Sequence, residues 1–425
     1  MIKIYNYNEI NQDEIIRRSK TDIDVGSIVS DIISDVRSRG DKALFDYTER
    51  FDKVKLKALE VTQSEIDNAF SLCSDELINA LKEAKHNIIE YHKNQLKDGF
   101  CVRKENGAVL GQKVLPLKSV GIYVPGGTAS YPSSVLMNAI PAKLAGVPEI
   151  IMVTPPSKDG GIKPSVLCAA RIAGVDRIFK IGGAQAVAAL TFGTESVPKV
   201  FKIIGPGNIF VSEAKRQVFG QVDIDMIAGP SEILIIADEG SNPAYVAADM
   251  LSQAEHDKLA SSVLVTTSKN LAQEVSNELE RQLPILDRSE IARESIENYG
   301  KIIIVSSIEE AIEVANELAP EHLEICVDKP FDYLDKIENA ASVFLGNNTP
   351  EALGDYFAGT NHTLPTGGTA KFSSPLSVDD FIKKIQYTYY THDALHAVSD
   401  KIALLAFEEG LGAHAKSTLI RFENE

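Results

Sequence analysis

Three apolar runs at regular intervals constrain this chain more than any other feature. Ile150-Ile151-Met152-Val153-Thr154, Arg177-Ile178-Phe179-Lys180-Ile181 and Val200-Phe201-Lys202-Ile203-Ile204 are each strand-length, with helical stretches at 164–173 and 185–190 between them. Strands this apolar need cover on both faces, which a parallel sheet between layers of helices supplies. After Gly229-Pro230-Ser231 the rhythm restarts, with strands at 233–237, 262–266, 302–305, 323–327 and 342–345. Helices running to His256 and at 269–283 and 308–318 fall between them. The spacing predicts two α/β units, the second completed by helical material before Tyr123. At 425 residues the chain is long enough for both.

Around that frame, 1–24 reads as a polar arm and 25–48 as helix broken near Gly40. Residues 64–95 read as one long helical stretch opened by Ser64-x-x-Asp67, and its His86 and His92 fall on different faces. Residues 99–122 look like hairpin strands, and 377–425 like mixed helix. A net charge of -17 with no basic stripe argues against nucleic acid and anionic membranes as partners. No apolar run spans a bilayer and Met1–Lys20 has no apolar signal core, so a cytoplasmic location is expected. Cys73, Cys101, Cys168 and Cys326 lie far apart, without a C-x-x-C, and read as free thiols.

Several strands of the middle unit end in small residues: Pro125-Gly126-Gly127, Gly182-Gly183-Ala184-Gln185 and Gly205-Pro206-Gly207-Asn208. Side-chain-free loops at the carboxyl ends of parallel strands suit the phosphates of a nucleotide or dinucleotide, although tight turns alone also use glycine. The G-x-G-x-x-G fingerprint is absent, because Asn208-Ile209-Phe210 follows Gly207. In Leu251-Ser252-Gln253-Ala254-Glu255-His256, Gln253 and His256 share a helical face, which is either half of a metal site or a polar helix end. Asp355, His362 and His414 are candidates for the other half. Ala319-Pro320-Glu321-His322-Leu323 sets a carboxyl beside an imidazole at a strand start. Neighbours on an extended segment point apart, so this pair would serve two atoms of one substrate and not each other. Residues 354–368 are polar and glycine-rich, which predicts an exposed loop.

Taken in register, these stretches resemble the histidinol dehydrogenase family from about Val25 to the end. The matching signatures include Gly121-Ile122-Tyr123-Val124-Pro125-Gly126-Gly127, Gly182-Gly183-Ala184-Gln185-Ala186, Thr194-Glu195-Ser196-Val197-Pro198-Lys199-Val200 and Gly205-Pro206-Gly207-Asn208. Ser212-Glu213-Ala214-Lys215-Arg216-Gln217, Ala228-Gly229-Pro230-Ser231-Glu232, Ser252-Gln253-Ala254-Glu255-His256, Pro320-Glu321-His322-Leu323 and Gly359-Thr360-Asn361-His362 continue the series. Thr363 and Thr369 depart from the pattern at positions where more apolar or small residues are expected.

The resemblance implies two incomplete Rossmann-like parallel-sheet domains, one inserted in the other, with small terminal segments for dimerisation. The expected division is an arm at 1–24, a larger domain at 25–122 and 233–376, an inserted domain at 123–232 and a helical dimerisation segment at 377–425. It implies zinc, one per subunit, on Gln253, His256, Asp355 and His414, with His414 and Glu409 coming from the other subunit of a homodimer. NAD would meet Tyr123, Gln185 and Asn208. L-histidinol would meet Ser231, His322, Glu409 and the metal ligands. His322 would be the general base and Glu321 the residue that activates water, in a four-electron oxidation of L-histidinol to L-histidine through bound L-histidinaldehyde. His362 is expected near the substrate but not on the metal. Two other readings stay open on the residues alone: a metal- and NAD-dependent dehydrogenase of another amino alcohol, and a two-lobed binding protein without catalysis.

Overall fold

The structure, a computed structural model, describes residues 1–15, 18, 24–126 and 130–423. Gly127 of the Tyr123–Gly127 motif and much of the second half of the 1–24 arm lie outside the described residues. The strands in chain order are β1 (Lys3–Asn6), β2 (Phe100–Arg103), β3 (Val109–Pro116), β4 (Ser119–Tyr123) and β5 (Glu149–Thr154). Next come β6 (Arg177–Lys180), β7 (Lys202–Ile204), β8 (Asp223–Ile224), β9 (Glu232–Ala237) and β10 (Ser261–Thr266). The last are β11 (Lys301–Ile304), β12 (His322–Cys326), β13 (Ser342–Leu345) and β14 (Ile382–Tyr389).

Two compact units emerge, one of 1–95 with 117–381, the other of 96–116 with 382–425. The first unit contains both parallel sheets, in the orders β6-β5-β4-β7-β8 and β1-β11-β10-β9-β12-β13. The polar arm thus begins with an edge strand, β1, paired in parallel with β11. Alternation within each strand builds a core on either face. Val120, Ile122, Ile150 and Met152 pack with one helical layer, while Tyr123, Ile151, Val153 and Phe179 pack with the opposite one. The six-stranded sheet repeats this, with Ile233 and Ile235 on one face and Leu234 and Ile236 on the other. Burying both faces of a strand is what selects continuous apolar runs over alternation with polar residues.

Local chemistry sets the helix limits. The break near Gly40 is real, separating helices Gly26–Arg39 and Asp41–Phe51. The stretch 64–95 is not one helix. Thr62, not Ser64, opens the first part through a capping box with Glu65, and that helix stops at Leu72. Ser74 then caps a second helix, Asp75–His92, by accepting from Leu77 N–H at 3.3 Å. Two serine or threonine caps ten or so residues apart punctuate a pattern whose periodicity alone looked continuous.

The second unit is a three-stranded antiparallel sheet, β14-β3-β2, followed by helices His392–Glu408 and Gly412–Leu419. Reading 377–425 as helical therefore missed β14, whose eight residues pair along the whole of β3. Ile385, Tyr387 and Tyr389, at alternate positions and all exposed, are the strand signal in that segment.

Candidate active site

Glu321 and His322 stand at the amino edge of the six-stranded sheet. Helix Ile308–Leu318 ends on Ala319 with φ 47, a left-handed conformation unusual for a residue with a side chain. Pro320 follows, and β12 begins at His322. The backbone of Glu232, on neighbouring β9, holds both side chains. Its N–H donates to Glu321 Oε2 at 2.9 Å, and its carbonyl oxygen lies 3.1 Å from His322 Nδ1. Since a carbonyl only accepts, the hydrogen-bond network assigns the proton to Nδ1 and leaves Nε2 with a lone pair. Buried Nε2 has no hydrogen-bond partner. Glu321 precedes the strand, so strand alternation does not govern it, and its Oε2 comes within 3.8 Å of His322 Nδ1. The two side chains approach and do not diverge as strand alternation predicts, yet, as expected, they do not pair: each bonds the Glu232 backbone.

Burial dominates their electrostatics. It pushes the His322 imidazole down to about 4, against an opposing pull from Asp355, and raises the Glu321 carboxyl well above its ordinary value. Glu232 carries its own anchor: its side chain accepts from Arg18 Nε at 2.5 Å, and Arg18 also donates to the Leu318 carbonyl. The helix end and the two strand starts that carry Glu321 and His322 are thereby tied together.

Across the cavity, helix Pro243–Ala254 has Asn242 as its N-cap and Pro243 in its first turn. It ends at Ala254, one residue short of Glu255 and two short of His256. His256 follows in a turn whose N–H donates to Gln253 O at 3.2 Å, so the three-residue spacing still brings both side chains to the cavity wall. Gln253 is buried, and its Oε1 has no hydrogen-bond partner. Asp355 sits on the short helix Glu351–Tyr356, as does Glu351 one turn earlier. Donor atoms of His256, Glu351 and Asp355 all lie within 4.8 Å of one another, the described residues' one grouping of this kind. An imidazole, two carboxylates and an unpartnered amide oxygen form a set of nitrogen and oxygen donors that suits zinc or a neighbouring divalent ion. The residues therefore fit the expected metal, with Glu351 as a donor the motifs did not flag. Its signal was the Glu351-x-x-x-Asp355 spacing after Pro350, which puts two carboxylates on one face of a helix.

The segment 359–368, expected as an exposed loop, is largely buried, and its polar groups are paired. Asn361 donates to Met137 O at 2.7 Å, Thr363 pairs with Asn138 at 2.9 Å, and Thr366 Oγ1 accepts from Gly229 N–H at 2.6 Å. Saturated hydrogen bonding is what lets so polar a stretch go inside. His362 lines the cavity with its Nδ1 3.1 Å from Asp355 O, and burial lowers its pKa.

The cavity, about 860 Å³, is lined by Ser231, Gln253, His256, Glu321, His322 and Asp355 on one side and by Pro206, Gly207 and Asn208 on the other. It joins the amino edge of one sheet to the carboxyl edge of the other. Asn208 Oδ1 is committed to capping helix Ile209–Val218, accepting from Phe210 and Val211 at 3.1 and 3.2 Å, which leaves Nδ2 for a ligand. Tyr123 and Gln185 are buried beside Gly183 and do not belong to the cavity lining. Tyr123 Oη accepts from Gly183 N–H at 3.0 Å, and burial pushes its phenol up to about 12. Glu409 and His414 belong to the second unit, where both are exposed.

Comparison with known proteins identifies the family. A family model described as histidinol dehydrogenase matches residues 16–422. A histidinol dehydrogenase of Clostridium acetobutylicum is 58% identical over 407 residues, 96% of this chain and 94% of that protein. One from Bacillus cereus is 54% identical over 424 residues, covering 100% and 96% of the two chains. The crystal structure of histidinol dehydrogenase from Elizabethkingia anophelis superposes with a TM-score of 0.94 at 41% identity, over 100% of this chain and 98% of that one. The chain belongs to the histidinol dehydrogenase family.

Proposed function

We propose that this protein catalyses the zinc-dependent, NAD-linked oxidation of L-histidinol to L-histidine, the closing steps of histidine biosynthesis, through a bound L-histidinaldehyde. The observation that carries the reading is the unpartnered Nε2 of a neutral, buried His322 in a cavity that also holds Glu321 and the His256–Asp355 donors. In balance, one alcohol, one water and two NAD give one carboxylate, two NADH and three protons.

His322 takes the hydroxyl proton on Nε2 as the first hydride leaves the carbinol carbon. Its lowered pKa keeps it unprotonated at working pH, and the Asp355 carboxylate, 3.9 Å away, stabilises the imidazolium that forms. Glu321 then withdraws a proton from the water that adds to the aldehyde. A carboxyl whose pKa burial raises is a stronger base, once ionised, than an exposed one. His322 accepts the hydrate's proton in the second oxidation. Gln253, His256, Asp355 and His414 of the partner subunit would hold the metal, which would orient histidinol through its imidazole nitrogen and amine. Asn208, Tyr123 and Gln185 would serve the dinucleotide, Asn208 by contact and the other two by shaping the Gly182-Gly183 turn. Ser231 and Glu409 would contact histidinol. NAD supplies the hydride acceptor.

A homodimer fits the second unit's surface, where Leu404, Leu405 and Phe407 are exposed on one helix and Leu411 and Ile420 flank the other. Among the described residues no helix is long and apolar enough to cross a membrane. The two-domain division is proposed with its boundaries at strand ends, since 122/123 falls inside β4 and 232/233 inside β9. The helices between 26 and 92, expected to complete the second unit, pack on the five-stranded sheet and not on the six-stranded one.

The test is NADH formed per L-histidinol consumed, with and without a chelator. Two per substrate, lost on chelation and restored by zinc, is expected. One per substrate would remove Glu321 from its role. Activity indifferent to metal removal would remove zinc from the reading.

A further inference from the structure

The donor cluster contains one residue that the expected ligand set does not. We propose that Glu351 is itself a metal ligand, through Oε1, in the substrate-free protein, and that histidinol takes its place on binding. This rests on the metal-dependent reading above and adds a resting state to it.

Glu351 is 2% exposed and held at several points. Its N–H donates to Glu324 Oε1 at 2.8 Å, which fixes the first residue of the short helix. Ser252 Oγ donates to Oε2 at 2.9 Å. That bond ties down one oxygen and leaves Oε1, the atom 3.8 Å from His322 Nε2, to face the cavity group. Asp355 follows one turn later on the same face, and His256 stands opposite, all donor atoms within 4.8 Å of one another. Ligand atoms about 2.0–2.2 Å from a tetrahedral zinc ion are about 3.4 Å apart, so closing the cluster takes side-chain shifts of about an ångström. A second observation points to the same ion: Gln253 Oε1, on a side chain 1% exposed in the same cavity wall, has no partner. His256, Asp355, Glu351 and Gln253 thus all belong to one compact unit. A chelating substrate needs two coordination positions. A singly bound carboxylate already tethered by Ser252 is the ligand most easily exchanged for one of them, and on release it stays beside His322 Nε2, where the positive charge of the reaction develops.

The experiment measures metal release to a chelator from the zinc- and cobalt-loaded protein, with and without L-histidinol and without NAD, so that no turnover occurs. Glu351→Gln is expected to speed release about 10–100-fold in the absence of histidinol, and much less in its presence. The visible bands of the cobalt form should change in the substrate-free variant only. Ser252→Ala, which keeps the carboxylate but unties it, should give a smaller effect of the same sign, and it carries the test if Glu351→Gln does not fold. Substrate-free release at the wild-type rate, with an unchanged cobalt spectrum, overturns the proposal while leaving the zinc reading intact, provided that His256→Asn still loses metal. A wild-type protein that retains no metal overturns both.

Discussion

Asp225 offers the sharpest test of how the loops at the carboxyl edge of the five-stranded sheet are held. Its carboxylate is 1% exposed and gathers three donors: Lys215 Nζ and Met226 N–H on Oδ1, the latter at 2.7 Å, and Gly205 N–H on Oδ2 at 2.7 Å. Lys215, itself 2% exposed, also donates to Gly205 O at 3.0 Å. The ion pair therefore grips both polar groups of Gly205, at the end of β7, and fixes the 225–229 segment that lines the cavity. Asp225→Asn leaves a buried ammonium without its counter-charge and turns one acceptor into a donor facing donors. Removing one member of a buried pair costs about 3–5 kcal/mol, a fall in melting temperature on the order of 10 °C. Lys215→Met is expected to cost less, about 2 kcal/mol, because two backbone N–H groups still satisfy the carboxylate. Both variants should raise the KM for NAD more than they lower kcat, since the pair touches the loops and not the reacting atoms. The assays are thermal unfolding and steady-state kinetics, with hydrogen exchange at Gly205 and Met226 as the local readout. An Asp225→Asn protein that melts within a degree or two of wild type, or a Lys215→Met protein that is the more damaged, would refute the clamp.

Other outcomes follow from single residues. Gly205→Ala should fail to accumulate as folded protein, because φ is +109 and a Cβ there runs into the Tyr123 carbonyl oxygen; Gly229→Ala, which meets only Thr366 Oγ1 at 3.4 Å, should express normally. Burial pushes Asp52 up to about 6, and it sits at the C-terminal end of helix Asp41–Phe51, where a negative charge is disfavoured. A folded pKa above the unfolded one gives stability that is present below about pH 4 and is lost as pH rises through about 6. Asp52→Asn should therefore stabilise by about 1 kcal/mol at pH 8, after discounting for solvent screening, and by almost nothing at pH 4; equal effects at both would refute it. Burial also pushes the Cys168 thiol up to about 12, whereas Cys101 is exposed, so alkylation at pH 8 followed by peptide mass mapping should mark Cys101 long before Cys168.

The two sheets use opposite edges, and the reason is chemical. At the carboxyl edge of the five-stranded sheet, turns such as Gly182-Gly183 and Gly205-Pro206-Gly207 lead into helix N-termini, with N–H groups suited to an anionic ligand. At the amino edge of the six-stranded sheet, His322 pairs with Ile233, one residue after Glu232, so the Glu232 backbone can offer an N–H to Glu321 and a carbonyl to His322. A base that must stay neutral is best set by a carbonyl, which holds Nδ1–H and fixes the tautomer. A carboxyl that must ionise is best set by an N–H, which favours its charged form.

How far the amino-acid order reveals this site depends on the range of the interaction. Periodicity is local, so apolar runs on both sides of Gly229 foretold the two parallel sheets, and Gly40 marked a real break. Capping is local too, but it competes with periodicity, which hid the stop at Leu72 and the restart at Ser74. β14 was hidden because its partner, β3, lies 266 or more residues away in the chain (Ile382 against Pro116), and an exposed strand has no apolar run to announce it. The donors Gln253, His256 and Asp355 and the pair Glu321-His322 were visible as motifs. What brings them together was not: the Glu232 backbone has no side-chain identity to read, Arg18 acts from the far end of the chain, and the buried 359–368 segment looks polar because its partners, Met137, Asn138 and Gly229, are remote. Glu351 belongs to both classes. Its spacing from Asp355 is local and legible, yet its place comes from Ser252 and His256, about a hundred residues earlier, and only the folded chain sets its carboxyl beside His256 and Asp355.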